Sequence, residues 1–244
     1  MPSEINQAGT ETVQQRVYFS LSEDILAGRI EPGQSLTIRG IAEKLSVSST
    51  PVREALRRLV AERALEMMDN RRVRIPEMTI ERFDDLLSTR ILLETEAAER
   101  SLPYLDETKI AELEVLDADV AHWSETGDYD RWIKANFKFH ETLYGARPDS
   151  TLVPLIRSIW LQIGPFLRQA LKSIEDHYSV DRHAEALRAM KERHRLGLRI
   201  AIEADIRDGI SHIGNQFIRN NAQDNGRKSK RKKKSNQFVD GQSH

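Results

Sequence analysis

The chain has 244 residues, 39% of them hydrophobic and 31% charged, with 37 Lys/Arg against 38 Asp/Glu and no cysteine. The missing cysteine excludes disulfides, thiolate catalysis and Cys-type zinc sites, and fits a reducing compartment. No apolar run is long enough to span a bilayer, and residues 1–15 lack the basic and apolar regions of a signal peptide, so a cytoplasmic protein without membrane contact is expected.

The near-zero balance hides an uneven distribution. Residues 16–76 hold eleven Lys/Arg against eight Asp/Glu, and residues 227–234, RKSKRKKK, carry seven cations and no acid. The stretch between them is acidic. A basic first third followed by an acidic body indicates that only the first part meets a polyanion.

Residues 1–12 read as a disordered leader. Val17, Leu21, Ile25 and Leu26 recur at helical spacing and predict an amphipathic helix over 13–27. Gly28 stands where a helix C-terminus favours glycine, and Pro32-Gly33 marks a turn. Ile38, Ile41, Ala42 and Leu45 predict a second, short helix. After a three-residue connection, Ser46–Ser48, comes STPVREALRRL. Pro51 suits the first helical position, where its missing N–H costs nothing, and Ser49 or Thr50 can cap the free amides. That start places Arg53 in the first turn, where the helix dipole disfavours a cation unless an anion lies in front of it. Residues 65–68 and 72–75 predict a small hairpin.

Two short helices, the second rich in arginine, followed by a hairpin have the layout of a winged helix-turn-helix over residues 13–76. The second helix enters the major groove by its N-terminal end, and the duplex supplies the anion that Arg53 lacks. From 77 to about 220 the apolar pattern is helical throughout. Helices are expected over 83–100, 106–126, 130–144, 152–173, 182–202 and 205–220, with a break at Glu203-Ala204 and Asp205 as the cap of the last helix. The tail from 221 is polar and low in complexity, so disordered. Its basic run is either a solvated tail or a non-specific nucleic-acid arm. The expected fold is mainly α, a winged helix-turn-helix followed by an all-α helical bundle that binds an effector and dimerises.

The stretch ILAGRIEPGQSLTIRGIAEKLSVSSTPVREALRRL resembles the DNA-binding domain of GntR-type bacterial transcription regulators. The segments RILLETEAAER, NFKFHETLY, ERHRLGL and EADIRDGISHI are similar in order and spacing to the all-helical FCD ligand-binding domain of the FadR subgroup. The resemblance implies a homodimeric repressor or activator on a palindromic double-stranded operator, released or remodelled by a small metabolite; a repressor that responds to a small carboxylate effector is the expectation. It assigns operator contacts to Arg39 and Arg53, with Ser49 standing where a further arginine is usual. Thr50, Arg57 and Arg72 complete the expected DNA-binding set. Arg63 stands where the family commonly has glycine. Arg72 replaces a wing-tip glycine, which leaves Asn70 to take the positive φ of the turn.

Asn136 and His140 lie one helical turn apart. His194 and His212 would be about 27 Å apart on one continuous helix, but a break at 203–204 lets two antiparallel helices bring them to the Asn136/His140 pair. Three imidazoles and an amide oxygen suit zinc or nickel. The family position of Asn136 is often aspartate, so a weaker site completed by an anionic effector is expected. Arg90 and Arg168 are candidates to hold the effector's carboxylate, with a salt bridge from Arg90 to Glu94 as the competing reading. Two rival functions are a metal-dependent hydrolase built on the histidines and a nucleic-acid packaging protein acting through its tail.

Overall fold

The computed structural model describes residues 12–69, 72–172 and 182–211. They form two compact units: the residues up to Glu77 together with Arg157–Pro165, and Met78–Ile156 together with the residues from Phe166 on.

In the first unit, α1 spans Val13–Leu26, β1 Ser35–Leu36, α2 Ile38–Lys44, α3 Ser49–Ala61, β2 Glu66–Met67 and β3 Val73–Arg74. A reciprocal cap starts α1: the Thr12 hydroxyl accepts from the Gln15 N–H at 3.2 Å, and the Gln15 side chain accepts from the Thr12 N–H at 2.8 Å. The strands form an antiparallel sheet in the order β1-β3-β2, with Arg74 opposite both Ser35 and Glu66. The sequence predicts the hairpin but not β1, a strand of two residues that hydrophobic periodicity cannot detect. Val17, Leu21, Ile25, Val52, Leu56, Leu59, Leu65, Val73 and Ile75 build the core, joined by Leu161 from the Arg157–Pro165 segment. Each fully buried aliphatic side chain contributes about 1.5–3 kcal/mol. The same segment is fitted closely, since a Cβ on Gly164 would meet the Leu26 carbonyl oxygen at 2.8 Å.

The start of α3 differs from expectation. Ser48 is the N-cap and makes no side-chain cap hydrogen bond, so Ser49 and Thr50 are helical residues and Pro51 is the third. The N–H of a third helical residue is also unpaired within the helix, so proline is equally harmless there. Arg53 is therefore the fifth helical residue, just beyond the first turn.

Among the described residues, four helices end alike. After α1, α2 and α3 the residue in the left-handed region is Gly28, Ser46 or Arg63, at φ 62°, 53° and 59°. In each case its N–H and the next one return to carbonyls of the last turn, as in Arg63 N–H to Val60 and Ala64 N–H to Leu59, both at 3.0 Å. Glycine would hold position 63 without the steric cost that arginine bears there.

In the second unit, α4 is Ile80–Ser101, α5 Glu107–Thr126, α6 Tyr129–Gly145, α8 His183–Lys191 and α9 Arg195–Ile206; α7, Leu152–Lys172, contributes its flanks. Helix α4 packs on α6 and α9, and α5 on α6 and α8. The helix expected over 182–202 is two helices. Arg193, at φ 56°, closes α8 in the same manner, with its N–H on Met190 O and that of His194 on Ala189 O. The Arg193 guanidinium anchors the turn on Leu102 O at 3.1 Å. The expected break at Glu203-Ala204 does not occur. Helix α9 runs through it to Ile206 and widens into a π-helical turn over Arg207–Ser211, so Asp205 is an interior helical residue and not the cap of a following helix.

Candidate functional site

On the first unit the expected DNA contacts Arg39, Ser49, Thr50, Arg53, Arg57 and Arg72 are all exposed. Arg39 and Arg57 lean on acids of their own helices, Glu43 at 2.7 Å and Glu54 at 2.8 Å. Such exposed pairs contribute little and exchange readily for a phosphate. Arg58 behaves differently. Its guanidinium lies 3.7 Å from the Tyr18 ring centroid and pairs with Glu62 at 2.9 Å, while the Tyr18 hydroxyl donates to Glu62 at 2.8 Å. Burial, reinforced by the Glu62 hydrogen bond and charge, pushes the Tyr18 phenol above its ordinary value. Arg58 thus braces α3 against α1. Asn70 lies outside the described residues.

The second unit holds a buried polar cluster. His140 comes from α6, His183 from the first position of α8 and Asp205 from α9, and all three are buried. His140 Nε2 stands 3.2 Å from Asp205 Oδ2 and 3.4 Å from His183 Nε2, and His183 Nε2 stands 3.9 Å from Asp205 Oδ1. One donor atom from each lies within 4.8 Å of the others. Donors at 2.0–2.1 Å around a tetrahedral ion are about 3.3 Å apart, so the two imidazole nitrogens and this carboxylate are spaced closely enough to share one divalent ion.

The groups behind this cluster are equally ordered. His183 Nδ1 meets Asp117 Oδ1 at 3.0 Å, and the His183 ring stacks on Phe139 with centroids 3.9 Å apart. His140 Nδ1 meets the Tyr144 hydroxyl at 3.1 Å, which reaches Glu94 Oε2 at 3.1 Å, and Glu94 is bridged to Arg90 at 2.6 and 3.3 Å. Asp205 Oδ1 also accepts the Arg182 N–H at 3.0 Å. Burial raises the Asp205 carboxyl, but the His140 hydrogen bond, the two imidazole charges and that N–H together outweigh it and hold the group at about 2. Burial and the Glu94 charge push the Tyr144 phenol well above its ordinary value.

Set against expectation, His140 is in the cluster and Asn136 lies one turn before it, half-buried. His194 is not in it. It is exposed at the N-cap of α9, with Nδ1 only 2.6 Å from where a Cβ on Gly197 would sit. His183 occupies the place that the sequence reading assigned to His194, because the turn at Arg193 separates His194 from α8. His212 lies outside the described residues. Asp205, expected as a cap, is the third member of the cluster. A signal for both was present: His183 falls in the stripe of Ala186, Leu187 and Met190, and Asp205 in that of Leu198, Ala201 and Ile202, all buried. A polar residue on an apolar stripe needs partners. The two effector candidates are committed elsewhere, Arg90 to Glu94 and Arg168 to Asp130.

Comparison with known proteins agrees with both units. Residues 13–75 match the family model of bacterial regulatory proteins, gntR family, and residues 85–208 match the FCD domain. The chain is 28% identical over 207 residues to the HTH-type transcriptional regulator McbR of Escherichia coli K12, covering 84% of this chain and 94% of McbR. The solved structure of E. coli McbR/YncC superposes with a TM-score of 0.80 at 26% identity, over 85% of this chain and 100% of that one. The gluconate operon transcriptional repressor of Bacillus subtilis is 28% identical over 190 residues, 74% of this chain and 76% of its own length. A transcriptional regulator GntR from Rhodococcus sp. RHA1 shares the fold, with a TM-score of 0.66 at 23% identity, over 82% of this chain and 96% of that one. With a gntR-type helix-turn-helix ahead of an FCD domain, this chain belongs to the GntR family of bacterial transcriptional regulators.

Proposed function

We propose that this regulator acts as a homodimeric repressor on a palindromic operator and is released by a small organic acid. In this reading a divalent ion at His140, His183 and Asp205 helps to hold the acid. The observation that supports it is the convergence of two Nε2 atoms, 3.4 Å apart, on the Asp205 carboxylate, whose Oδ2 is 3.2 Å from His140 and Oδ1 3.9 Å from His183, in a buried site of the effector domain. Two neutral imidazoles and one carboxylate leave a divalent ion with an excess positive charge, which an effector's carboxylate neutralises on binding. Zinc or nickel suits the imidazole nitrogens. Asn136, on the His140 face of α6, is the proposed additional oxygen donor.

Arg39, Ser49, Thr50, Arg53, Arg57 and Arg72 form the proposed operator surface, Arg53 reading base edges and the other cations meeting phosphates. Two-fold symmetry of a dimer would be mirrored in the operator. The B. subtilis relative is named a repressor, which supports that sign of regulation here. A hydrolytic role has less support. Of the two carboxylates behind the histidines, Glu94 is bridged to Arg90 and Asp117 holds His183, and the relatives are transcription regulators.

The test is a mobility shift on the DNA upstream of the protein's own gene, at stated salt, with protein purified without chelator. Binding that small organic acids abolish in the metal-loaded protein supports the proposal. Absence of a shift, or a shift that no acid changes in either metal state, overturns it.

A further inference from the structure

We propose that the exposed strip along α4 is the surface on which two copies of this chain meet, with Leu92 of each copy at the two-fold axis. The inference gives the homodimer of the proposed function its interface and rests on that reading for the existence of a dimer.

Leu92 is 66% exposed, more than any other large hydrophobic side chain among the described residues. It does not stand alone. Helix α9, packed on α4, adds Leu196 and Ile200, 58% and 59% exposed. Each follows directly in the chain an arginine that holds Glu99 of α4, Arg195 at 2.8 Å and Arg199 at 3.5 Å. Single exposed leucines need no explanation, but an apolar group on two packed helices, rimmed by charge, has the composition of an interface centre.

The charges around that centre say what covers it. Positions 85, 92 and 99 are seven apart, about two helical turns, and so share one face of α4. Toward its N-terminal end this face carries Glu81, Asp84 and Asp85, all exposed, with Arg82 half-buried beside them. Toward the other end Glu99 is held by Arg195 and Arg199, and Arg100 follows with its own partner Glu96, which leaves an excess of positive charge. Leu92 thus lies midway between an acidic and a basic end, each about 10.5 Å away along the helix axis. A surface acidic on one side of its centre and basic on the other is complementary to itself after a half-turn. A two-fold axis through Leu92 sets Asp85 of one copy against Arg195 and Arg199 of the other, twice, and buries the two Leu92 side chains together. That is the isologous contact of a cyclic dimer. A uniformly anionic partner such as a duplex is repelled by the acidic end, and a uniformly cationic one by the basic end.

The test is sedimentation velocity of the full chain over a concentration series, for wild type, Leu92→Glu, Asp85→Asn and Val115→Glu. Val115, 64% exposed on α5, is as open as Leu92 but lies outside the α4–α9 strip. Wild type is expected to be a dimer. Leu92→Glu sets two carboxylates at the axis and is expected to raise the dissociation constant at least about 100-fold, since both copies lose the central contact. Asp85→Asn is expected to raise it about 2- to 10-fold and to make the dimer less sensitive to added salt. Val115→Glu is expected to match wild type. All three altered side chains are exposed within one copy, so far-UV circular dichroism is expected to be unchanged. A dimer that Leu92→Glu leaves intact, or that Val115→Glu breaks instead, overturns the interface alone. Unchanged affinity and salt dependence in Asp85→Asn overturn it as well, with the apolar centre untouched. A wild-type chain that stays monomeric at every concentration overturns the interface and the proposed dimer together. A dimer that Leu92→Glu splits, but whose wild-type form shifts no operator DNA, overturns the regulatory proposal and supports the interface.

Discussion

The Nε2 atoms of His140 and His183 lie 3.4 Å apart, although the residues are 43 positions apart in sequence and belong to α6 and α8. Two imidazole nitrogens so close, with a carboxylate oxygen 3.2 Å from one of them, leave room for a shared cation. The first prediction separates His183 from His194. His183→Ala is expected to abolish metal retention, whereas His194→Ala, at an exposed helix cap, is expected to retain the wild-type content. Elemental analysis of both proteins, purified side by side without chelator, checks it; loss of metal in His194→Ala with retention in His183→Ala refutes it.

Arg53 and Arg58 are five residues apart on α3 and are expected to fail differently. Arg53→Ala is expected to weaken operator binding by about 1–3 kcal/mol if its contact is bidentate to a base, or to lower the salt slope of binding by about one if it meets a phosphate. Arg58→Ala is expected to cost about 1 kcal/mol of stability through its contacts with Tyr18 and Glu62, with little change in operator affinity at saturating folded protein. Urea unfolding and mobility shifts at two salt concentrations distinguish the pair.

Arg90→Ala leaves Glu94 charged, fully buried and without its bridge. Breaking a buried ion pair from one side costs about 3–5 kcal/mol. The variant is expected to lose that much stability in chemical denaturation even when no effector is present. A loss below about 1 kcal/mol, together with loss of effector response, would restore Arg90 as an effector ligand.

Asp24, on α1, accepts from Arg29 at 2.7 Å and from Lys44 at 3.1 Å. Burial raises its carboxyl, but these two cations outweigh burial and hold it below its ordinary value. A carboxyl lowered in the folded state adds stability above the unfolded-state value, and that stability is lost as the pH falls through the folded one. Asp24→Asn is therefore expected to be less stable than wild type near pH 7, with the difference shrinking as the pH falls through the carboxylate range. A thermal unfolding series from pH 7 to pH 3 checks it, and a difference that grows on acidification contradicts it.

Much of the first unit was readable from the chain. The stripes Val17/Leu21/Ile25 and Val52/Leu56/Leu59 define their helices through spacing alone, and Gly28 announces the end of α1. The ends of α2, α3 and α8 were not readable in the same way. Their left-handed residues are Ser46, Arg63 and Arg193, and nothing in the identity of an arginine marks it for a positive φ. At Arg63 the familiar glycine position was noted, and the structure supplies the reason for it. At Arg193 the missed turn propagated: one helix was expected where two exist, so the wrong histidine was assigned to the cluster.

By itself the sequence determined the local order, meaning helices, a turn, a recognition helix and a hairpin. It also assigned the family, because periodicity, proline and glycine placement and short motifs act within a few residues. The tertiary structure decided which polar side chains meet. Asp117, His140, His183 and Asp205 come from four helices, and Glu94, from α4, joins them through Tyr144, which lies one turn after His140 on α6. Their convergence depends on how those helices pack, and on the cost of burying polar groups unless they find one another, a constraint that acts across space and leaves no spacing in the chain.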